Sequence, residues 1–439
     1  MTPPHRPGTS RRQFLQTSAG LALAPYFVSS RVLGAKVVPP SDRIVMGAIG
    51  TGGQGTGIME NLLKFEDVQF VAVCDVDAKH RQAAREIVNK KYGQQDCQEY
   101  ADFRELVARN DIDAVTVTTP DHWHALCSIA AAKSGKDVYC EKPLVNSIGE
   151  GRAVADAVRK HGRILQTGSH ERSGSNARFA AELVRNGRLG KLHTIRVNLP
   201  CTDGHHKEAR AITEMPPAES VPEGFDYDFW LGHTQKAPYQ ARRCHFWWRF
   251  NLAYGGGEMT DRGAHVIDLA QLGGGFDDTG PIKITASGVR NEHSLYNTFW
   301  DYSFENEYAN GVRMLGESDP KKPRGVKFEG DRGSIFIRVH GGNLTADPVS
   351  LLEEKIGDNE IHLGRSPGHV RNFVDCVKSR QQPVASAEIG HRTASVCHLN
   401  NIAMLLGRTL TWDPQAEKFA HDEEANRLIT PPMRSPWSL

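Results

Sequence analysis

The stretch IVMGAIGTGGQG, residues 44–55, is a short apolar run that leads directly into a cluster of glycines. A run of this kind is typical of a buried strand in a parallel sheet. The residues that follow have apolar side chains at helical spacing: Ile58, Met59, Leu62 and Leu63. The stretch therefore predicts a strand, a tight glycine turn and a helix that begins at the turn.

The glycine turn has the spacing of a nucleotide-binding loop. Gly50 permits a tight turn, Gly52 lets the backbone approach a pyrophosphate, and Gly55 lets the helix pack closely against the strand. The N-terminus of the helix offers free N–H groups and a partial positive charge to phosphates. We therefore expect the whole loop to bind a dinucleotide: Gly50, Thr51, Gly52, Gly53, Gln54 and Gly55.

A second apolar run, residues 68–74, ends at Asp75, which lies 20 residues after Gly55. A carboxylate at this distance binds the 2′-hydroxyl of the adenosine ribose, and it repels a 2′-phosphate. The sequence therefore favours NAD over NADP. The alternative is an empty glycine turn in an unrelated α/β protein.

Strands and helices continue to alternate up to about residue 165. Helices are expected at 78–92, 103–109 and 125–134, and strands at 112–118 and 137–140. Ligands bind at the carboxyl ends of the strands in sheets of this type. We therefore expect the residues after two of these strands to face the dinucleotide: Thr119, Pro120 and His124, then Glu141 and Lys142.

A second polar motif follows three glycines at residues 255–257. Thr260 is a residue type that caps helices. Asp261 and His265 are four residues apart, so a helix would place them on one face. Asp268 lies close to that face, and we expect it to support the other two side chains.

Together these motifs resemble the Gfo/Idh/MocA family, whose members include glucose–fructose oxidoreductase and inositol dehydrogenases. The resemblance covers residues 42 to about 412. It rests on the order and spacing of the glycine loop with its acid, the Glu141-Lys142-Pro143 motif and the Asp261-x-x-x-His265 helix. This chain has Asp121 where the family often has asparagine, so the contacts of that asparagine are not carried over.

The resemblance implies catalytic roles for Lys142, Asp261 and His265. Lys142 would stabilise the developing oxyanion of the substrate. His265 would act as general acid and base on the substrate hydroxyl, and Asp261 would orient or assist it. Alternatively, Asp261 is only a first-turn acid suited to the helix dipole, and His265 is a core histidine.

The expected architecture has two domains and two flanking segments. Residues 36–165 form an α/β Rossmann domain, and residues 166–412 form an α+β domain with an open, mostly antiparallel sheet. Residues 413–439 form a C-terminal tail. The second domain is expected to contain a helix at 179–186, strands at 193–199, 283–289, 301–308, 311–316 and 334–339, and helices at 369–379 and 390–406 that buttress both domains.

Residues 1–35 predict an export signal. They contain arginines but no acid, and Arg11-Arg12 precedes an apolar run from Leu15 to about Val28, a pattern that resembles a twin-arginine signal. The alternative is a chance arginine pair before a disordered tail. Because this route moves folded proteins, we expect a periplasmic or extracytoplasmic protein that carries its cofactor with it.

Residues 200–250 form a long polar and proline-rich insertion, and a loop of this length is usually functional. Aromatic faces stack on the C–H faces of sugars, and arginine binds hydroxyl or acid groups. The insertion therefore offers four candidate substrate residues: Trp230, Tyr239, His245 and Arg249. The alternative is that these side chains only pack the loop.

Several classes of partner are disfavoured. The 53 basic and 52 acidic residues give no basic footprint for a nucleic acid, and after the leader no apolar stretch could span a membrane.

The chain offers four histidines as possible metal ligands: His122, His124, His205 and His206. No third ligand has a matching spacing, so we predict no metal. The eight cysteines include no C-x-x-C pair, and we expect buried thiols.

We therefore expect an enzyme that transfers a hydride between a tightly bound NAD and a ring hydroxyl of a sugar or polyol. An alternative is an NAD-dependent glycosidase that oxidises the ring transiently, eliminates the glycosidic bond and returns the hydride. A second alternative is a catalytically inactive sugar-binding relative. It predicts the loss of Lys142, Asp261 or His265, all of which are present. The resemblance also implies a homo-oligomer, a dimer or tetramer joined through the second sheet.

Overall fold

The first sheet contains six parallel strands in the order β3-β2-β1-β4-β5-β6. A computed structural model describes residues 38–439, so the predicted export signal at 1–35 lies outside the described residues. The strands are β1 Ile44–Ile49, β2 Val68–Cys74, β3 Gln98–Tyr100, β4 Ala114–Val117, β5 Asp137–Cys140 and β6 Leu165–Thr167. The strand order reverses between β1 and β4, which is where dinucleotides bind in sheets of this type. The predicted Rossmann domain is confirmed.

Five helices connect these strands and cover the faces of the sheet. They are α1 Gly53–Leu62, α2 Ala78–Tyr92, α3 Phe103–Val107, α4 Asp121–Lys133 and α5 Ile148–Lys160. Helix α4 begins four residues before the predicted start at residue 125, so His122 and His124 lie on a helix and not in a loop. The sequence did not predict α5, although Ser147 caps it by accepting a hydrogen bond from the Glu150 amide.

The second sheet contains nine strands in the order β13-β12-β11-β7-β10-β9-β8-β14-β15. Among the strands of residues 38–439 that form this sheet, only β7 and β10 pair in parallel, which confirms the mostly antiparallel sheet. The sequence missed β11, β13, β14 and β15. The strands are β7 Leu192–Asn198, β8 Lys283–Val289, β9 Trp300–Glu307, β10 Arg313–Glu317, β11 Gly325–Gly330, β12 Gly333–Arg338, β13 Leu344–Asp347, β14 Leu410–Asp413 and β15 Lys418–Phe419.

Eight further helices follow β6 in the described part of the chain. They are α6 Ser175–Arg185, α7 Gly204–Arg210, α8 Tyr227–Leu231, α9 Glu258–Asp261, α10 Gly263–Gly274, α11 His369–Ser379, α12 Ala387–Leu406 and α13 Glu423–Arg427. Phe373 of α11 packs in the core around β1 and β2. Helix α12 contributes Ala394 to the first-domain core and Leu399 to the core under the second sheet. Helices α11 and α12 therefore buttress the Rossmann domain, and α12 contacts both domains, as predicted.

The insertion at residues 200–250 is folded, and the prediction of a long loop was wrong. Besides α7 and α8 it contains two 3-10 turns, Ala241–Arg243 and His245–Phe250. Four of its aromatic residues form a small core with Tyr254, which follows the insertion: Phe225, Tyr227, Trp230 and Tyr239. Burial of these rings stabilises the insertion, because each large aromatic side chain removes a large apolar area from water.

The C-terminal tail packs against this insertion. The rings of Trp437 and Phe229 lie 5.6 Å apart, edge to face, and Arg434 donates a hydrogen bond of 2.8 Å to Asp228. All eight cysteines are free and buried, as predicted. Within residues 38–439, no helix has both the length and the apolar character needed to cross a membrane.

A buried ion pair joins the turn after β6 to α10. Arg172 donates a hydrogen bond of 2.7 Å to Asp268, and both side chains are almost completely buried. Asp268 also accepts a hydrogen bond of 2.8 Å from Thr393 of α12. Asp268 therefore supports the helix that carries His265, as predicted, and does not line the cavity described below.

Replacement of Asp268 by alanine should destabilise the protein strongly, because it leaves the Arg172 charge buried with fewer partners. We expect a loss of about 3–5 kcal/mol in the free energy of unfolding, measured by urea denaturation. Glu305→Ala is the matched control, since it breaks the exposed Arg313–Glu305 pair and should cost less than about 1 kcal/mol. Equal small losses for both variants would show that the buried pair does not hold the helices together.

Candidate active site

The glycine loop between β1 and α1 has a shape that only glycine permits. Gly50 has φ +81°, and a Cβ atom built there would lie 2.6 Å from the amide nitrogen of Thr119. A Cβ atom at Gly55 would lie 2.1 Å from the carbonyl oxygen of Gly50. At Gly53 a Cβ atom would meet nothing within 4 Å, so the backbone is open on the cavity side. The loop fits a pyrophosphate lying against the backbone and the N-terminus of α1.

Asp75 stands at the end of β2 with its carboxylate held in place. One oxygen accepts a hydrogen bond of 2.7 Å from the amide of Thr51, and the other accepts one of 2.9 Å from the amide of Asp77. The His80 ring lies 3.7 Å from the same carboxylate, and this contact raises the pKa of His80. A fixed carboxylate therefore stands where a ribose hydroxyl is expected to bind.

A cavity of about 630 Å³ runs from this loop to the second domain. This volume lies in the usual range for small-molecule sites. Twelve of the residues that the sequence predicted to bind the cofactor or to act in catalysis line this cavity. They are Gly50, Gly52, Gly53, Gln54, Asp75, Thr119, Pro120, His124, Glu141, Lys142, Asp261 and His265. Thr51 and Gly55 do not line the cavity, because they are packed behind the loop.

Lys142 and Asp261 form an ion pair across the cavity. The Lys142 ammonium donates hydrogen bonds of 2.6 Å to the Asp261 carboxylate and 3.1 Å to its carbonyl oxygen. Arg249 and Arg262 lie 3.6 and 3.7 Å from the other carboxylate oxygen. Burial alone would raise the pKa of Asp261, but Lys142 and the two arginines lower it well below its usual range. The carboxylate is therefore ionised.

His265 is buried at the same end of the cavity. The predicted single helix is divided at Arg262: Asp261 ends α9, and His265 lies in the first turn of α10. The Nδ1 atom of His265 has no hydrogen-bond partner among the described residues. Burial, followed by the positive charge of Lys142, lowers the pKa of His265 well below its usual value. The ring is therefore neutral near pH 7.

Asp121, the departure from the family pattern, is the first residue of α4 and lines the cavity. Its side chain is buried, and its Oδ1 atom has no hydrogen-bond partner among the described residues. Burial raises the pKa of Asp121 well above its usual value, although Lys142 and Arg249 oppose the shift. A protonated carboxyl can both donate and accept a hydrogen bond, as an asparagine amide can.

Two of the four histidines considered as metal ligands, His122 and His124, lie against backbone carbonyl oxygens. His122 lies 2.9 Å from the carbonyl oxygen of Trp230, and His124 lies 2.8 Å from that of Pro143 and 2.9 Å from that of Thr119. Burial lowers their pKa values to about 3 and about 4. A neutral ring carries one N–H, so His124 donates a hydrogen bond to one of these two carbonyl oxygens.

Three of the four candidate substrate residues line the cavity: Trp230, His245 and Arg249. Tyr239 does not. It packs in the core of the insertion, with its ring 5.1 Å from that of Tyr227. Its prediction as a substrate contact is therefore not supported, because composition alone does not show which aromatic rings of an insertion face inward.

The sequence predictions did not include Phe246, a residue of the cavity wall, and did not select Trp248, another aromatic residue of the insertion, as a substrate contact. The Arg249 guanidinium lies 4.6 and 4.7 Å from the centres of these two rings. His170 and His340 were also missed, and both lie beside His265. His170 follows the end of β6, so the rule that located Lys142 could have found it.

Two family matches together cover almost all of the described chain. Residues 44–169 match the oxidoreductase family with an NAD-binding Rossmann fold, and residues 174–439 match its C-terminal alpha/beta domain. The chain belongs to the Gfo/Idh/MocA oxidoreductase family. The match extends to residue 439 and so includes the tail, which the resemblance seen in the sequence did not reach.

Relatives within the Gfo/Idh/MocA family differ in the activities for which they are named. D-glucoside 3-dehydrogenase of Escherichia coli is 25% identical over 344 residues, which are 74% of this chain and 85% of that protein. A glycosyl hydrolase family 109 protein of Solibacter usitatus is 31% identical over 198 residues, 42% of this chain and 44% of that protein. This chain therefore aligns with less than half the length of the second relative.

The fold also matches solved structures. The WlbA dehydrogenase of Bordetella pertussis, in complex with NADH and UDP-GlcNAcA, superposes with a TM-score of 0.62 at 16% identity. The match covers 84% of this chain and 99% of that one. At this identity the likeness concerns the fold alone.

Gly55→Ala should abolish retention of the dinucleotide, because the added Cβ atom would clash with the Gly50 carbonyl and move the loop. Gly57→Ala is the matched control on the same helix, since a Cβ atom there meets nothing within 4 Å. The control should keep the cofactor and gain up to about 1 kcal/mol of stability from helix propensity. The measurement is the nicotinamide dinucleotide released on denaturation of each variant. Equal retention by both variants would contradict this account of the loop.

Proposed function

We propose that this protein is an NAD-dependent oxidoreductase that keeps its cofactor bound and acts on a ring hydroxyl of a sugar or polyol. The observation that carries the proposal is the single cavity that joins the glycine loop and Asp75 to Lys142, Asp261 and His265. Bound NAD supplies the acceptor and donor of a hydride. The loop backbone would hold its pyrophosphate, and Asp75 would hold its ribose and disfavour NADP.

Lys142 and His265 are suited to activate the substrate hydroxyl. Asp261 holds the Lys142 ammonium in place through two hydrogen bonds, so the positive charge is already positioned for a developing alkoxide. His265 is neutral near pH 7 and can therefore accept the hydroxyl proton. Asp261 assists catalysis indirectly, because it holds the Lys142 ammonium in position.

A sugar ring suits the far end of the cavity. Phe246 and Trp248 line the cavity beside Arg249, which lies 3.6 Å from Asp261 and supplies hydrogen-bond donors. The name of the Escherichia coli relative, D-glucoside 3-dehydrogenase, supports a glycoside as substrate and a secondary ring hydroxyl as the group oxidised. The bound ligands of structural neighbours, UDP-GlcNAcA and levoglucosan, belong to the same chemical class.

A second candidate function is a redox-neutral glycosidase, favoured by the relatives named glycosyl hydrolase family 109. In this reaction ring oxidation acidifies a neighbouring C–H bond, the glycosidic bond is eliminated, water adds, and the hydride returns. Release of a free sugar from a glycoside without added NAD would favour this candidate. A requirement for a second carbonyl substrate would favour the oxidoreductase.

We also propose export by the twin-arginine route and assembly as a homo-oligomer. Export would explain a retained cofactor, because free NAD is not supplied outside the cytoplasm. Size-exclusion chromatography with light scattering tests the assembly, and fractionation of cells that make the full chain tests the export.

The purified mature protein should carry about one NAD per chain through gel filtration if the cofactor is retained. Asp75→Asn should weaken NAD binding roughly 10- to 100-fold through loss of charged hydrogen bonds worth about 1.5–3 kcal/mol, and should improve the ratio of NADP to NAD affinity. Asp358→Asn, at an exposed loop position, is the control. An empty wild-type protein with weak NAD affinity would contradict the proposal.

Lys142→Ala and His265→Ala should each lower turnover by a factor of about 10²–10⁴ while NAD stays bound. The measurement is formation of reduced nicotinamide after the holoprotein is mixed with a panel of glycosides and polyols. Lys321→Ala, in an exposed loop, should behave as wild type. Full activity in either of the first two variants would refute its catalytic role.

A further inference from the structure

The insertion is docked onto the end of the strand that leads to Asp75. Its residues 224–226 lie antiparallel to residues 76–78, which directly follow Asp75. Two backbone hydrogen bonds join these segments, and they measure 2.9 and 3.1 Å. The insertion therefore contacts the first domain beside the carboxylate that is expected to hold the adenosine ribose.

This contact is close because the insertion carries a glycine at the point of approach. Gly224 has φ +80°, and a Cβ atom built there would lie 3.1 Å from the Cβ atom of Ala78. The Gly224 carbonyl oxygen accepts the hydrogen bond of 2.9 Å from the Ala78 amide. Since the contact is made by backbone groups, it fixes the position of the insertion relative to the end of β2.

The ring of His245 lies beside this contact. Its centre is 5.2 Å from that of His80 and 5.5 Å from that of Phe225. His80 in turn contacts the Asp75 carboxylate, and a Cβ atom built at Gly52 would lie 3.9 Å from the His80 ring. All five residues line the cavity. His245, which the sequence offered as a substrate contact, therefore stands at the cofactor end.

The surface next to Asp75 is aromatic. The Asp75 amide donates a hydrogen bond of 3.2 Å to the carbonyl oxygen of Tyr100, the last residue of β3, and Phe103 begins the helix that follows. Phe103 lines the cavity together with Phe225 and Phe229 of the insertion. Aromatic rings bind flat bases by stacking. This surface therefore suits an adenine, and two of its three rings belong to the insertion.

The insertion continues from this end of the cavity to the other. His245 begins the 3-10 turn His245–Phe250, and Arg249 of the same turn lies 3.6 Å from Asp261. One short segment thus lines the cavity from the expected ribose position to the ion pair of Lys142 and Asp261.

We infer that the insertion is a clasp that retains NAD: residues 224–229 and His245 enclose the adenosine end of the cofactor. NAD leaves when the contact between residues 224–226 and 76–78 opens. Opening breaks backbone hydrogen bonds and separates apolar surfaces, so it slows dissociation, which is the step that distinguishes tight from weak complexes. The inference rests on the proposed function, because it assigns the retention of NAD to a part of the chain.

The test measures the release of NAD from the full mature holoprotein. Free NAD is reduced as it appears by alcohol dehydrogenase with ethanol, and the formation of NADH gives the rate. His245→Asn removes the ring, and asparagine tolerates the φ of +51° at this position. Phe225→Leu removes the aromatic face but keeps an apolar side chain of similar size. Each variant should release NAD at least about 10-fold faster, as expected for the loss of a ring that contacts a base.

His421→Asn is the matched control for the histidine variant. His421 is also an exposed histidine with a positive φ, of +57°, and it does not line the cavity. This variant should release NAD at the wild-type rate. Equal release rates for wild type, His245→Asn and Phe225→Leu would overturn the inference while the proposed function stands.

ADP-ribose locates the effect, because it carries the adenosine end of NAD without the nicotinamide. Each protein is freed of NAD with charcoal, and ADP-ribose is titrated by calorimetry. Both variants should bind it at least about 10-fold more weakly than wild type and the control do. Unchanged affinity for ADP-ribose in both variants would overturn the assignment to the adenosine end. A wild-type protein that carries no NAD would contradict the proposed function, and weaker binding of ADP-ribose by the variants would still support the position of the clasp, so the two failures are distinguishable.

Discussion

The ion pair between Lys142 and Asp261 is the interaction on which the site depends. Lys142 follows β5 of the first sheet, and Asp261 ends the short helix α9 of the second domain, so one contact of 2.6 Å spans the cavity. Both side chains are mostly removed from water, where opposite charges attract more strongly than at the surface. Arg249 adds a third charge from the insertion. These charges meet at the wall of the cavity.

Sequence reasoning located the parts of the site that local physics determines. A strand, a glycine turn and a helix are specified by consecutive residues, and a carboxylate 20 residues later follows from the geometry of one strand–helix–strand unit. The short edge strands were not predictable, because Gln98–Tyr100 has only three residues and no measurable period. The cluster of His170, His265 and His340 depends on packing between distant segments, which a single sequence does not encode in its spacing.

The insertion shows how composition can mislead. Proline and polar residues at 200–250 predicted a loop, yet its aromatic residues bury one another, and Trp437 and Trp123 extend the same packing to the C-terminal tail. Trp230 reaches the cavity from this core, whereas Tyr239 does not. The tail, which the sequence resemblance did not reach, therefore helps to position a wall of the cavity.

The electrostatics of the site also explain why several groups must act together. A histidine whose pKa lies far below neutrality is a weak base, and transfer of a proton from an alcohol to it is strongly uphill. A positive charge at the alcohol oxygen removes much of that cost, because it stabilises the alkoxide as it forms. Lys142 supplies such a charge beside His265. The same Lys142 charge that weakens His265 as a base thus favours ionisation of the substrate.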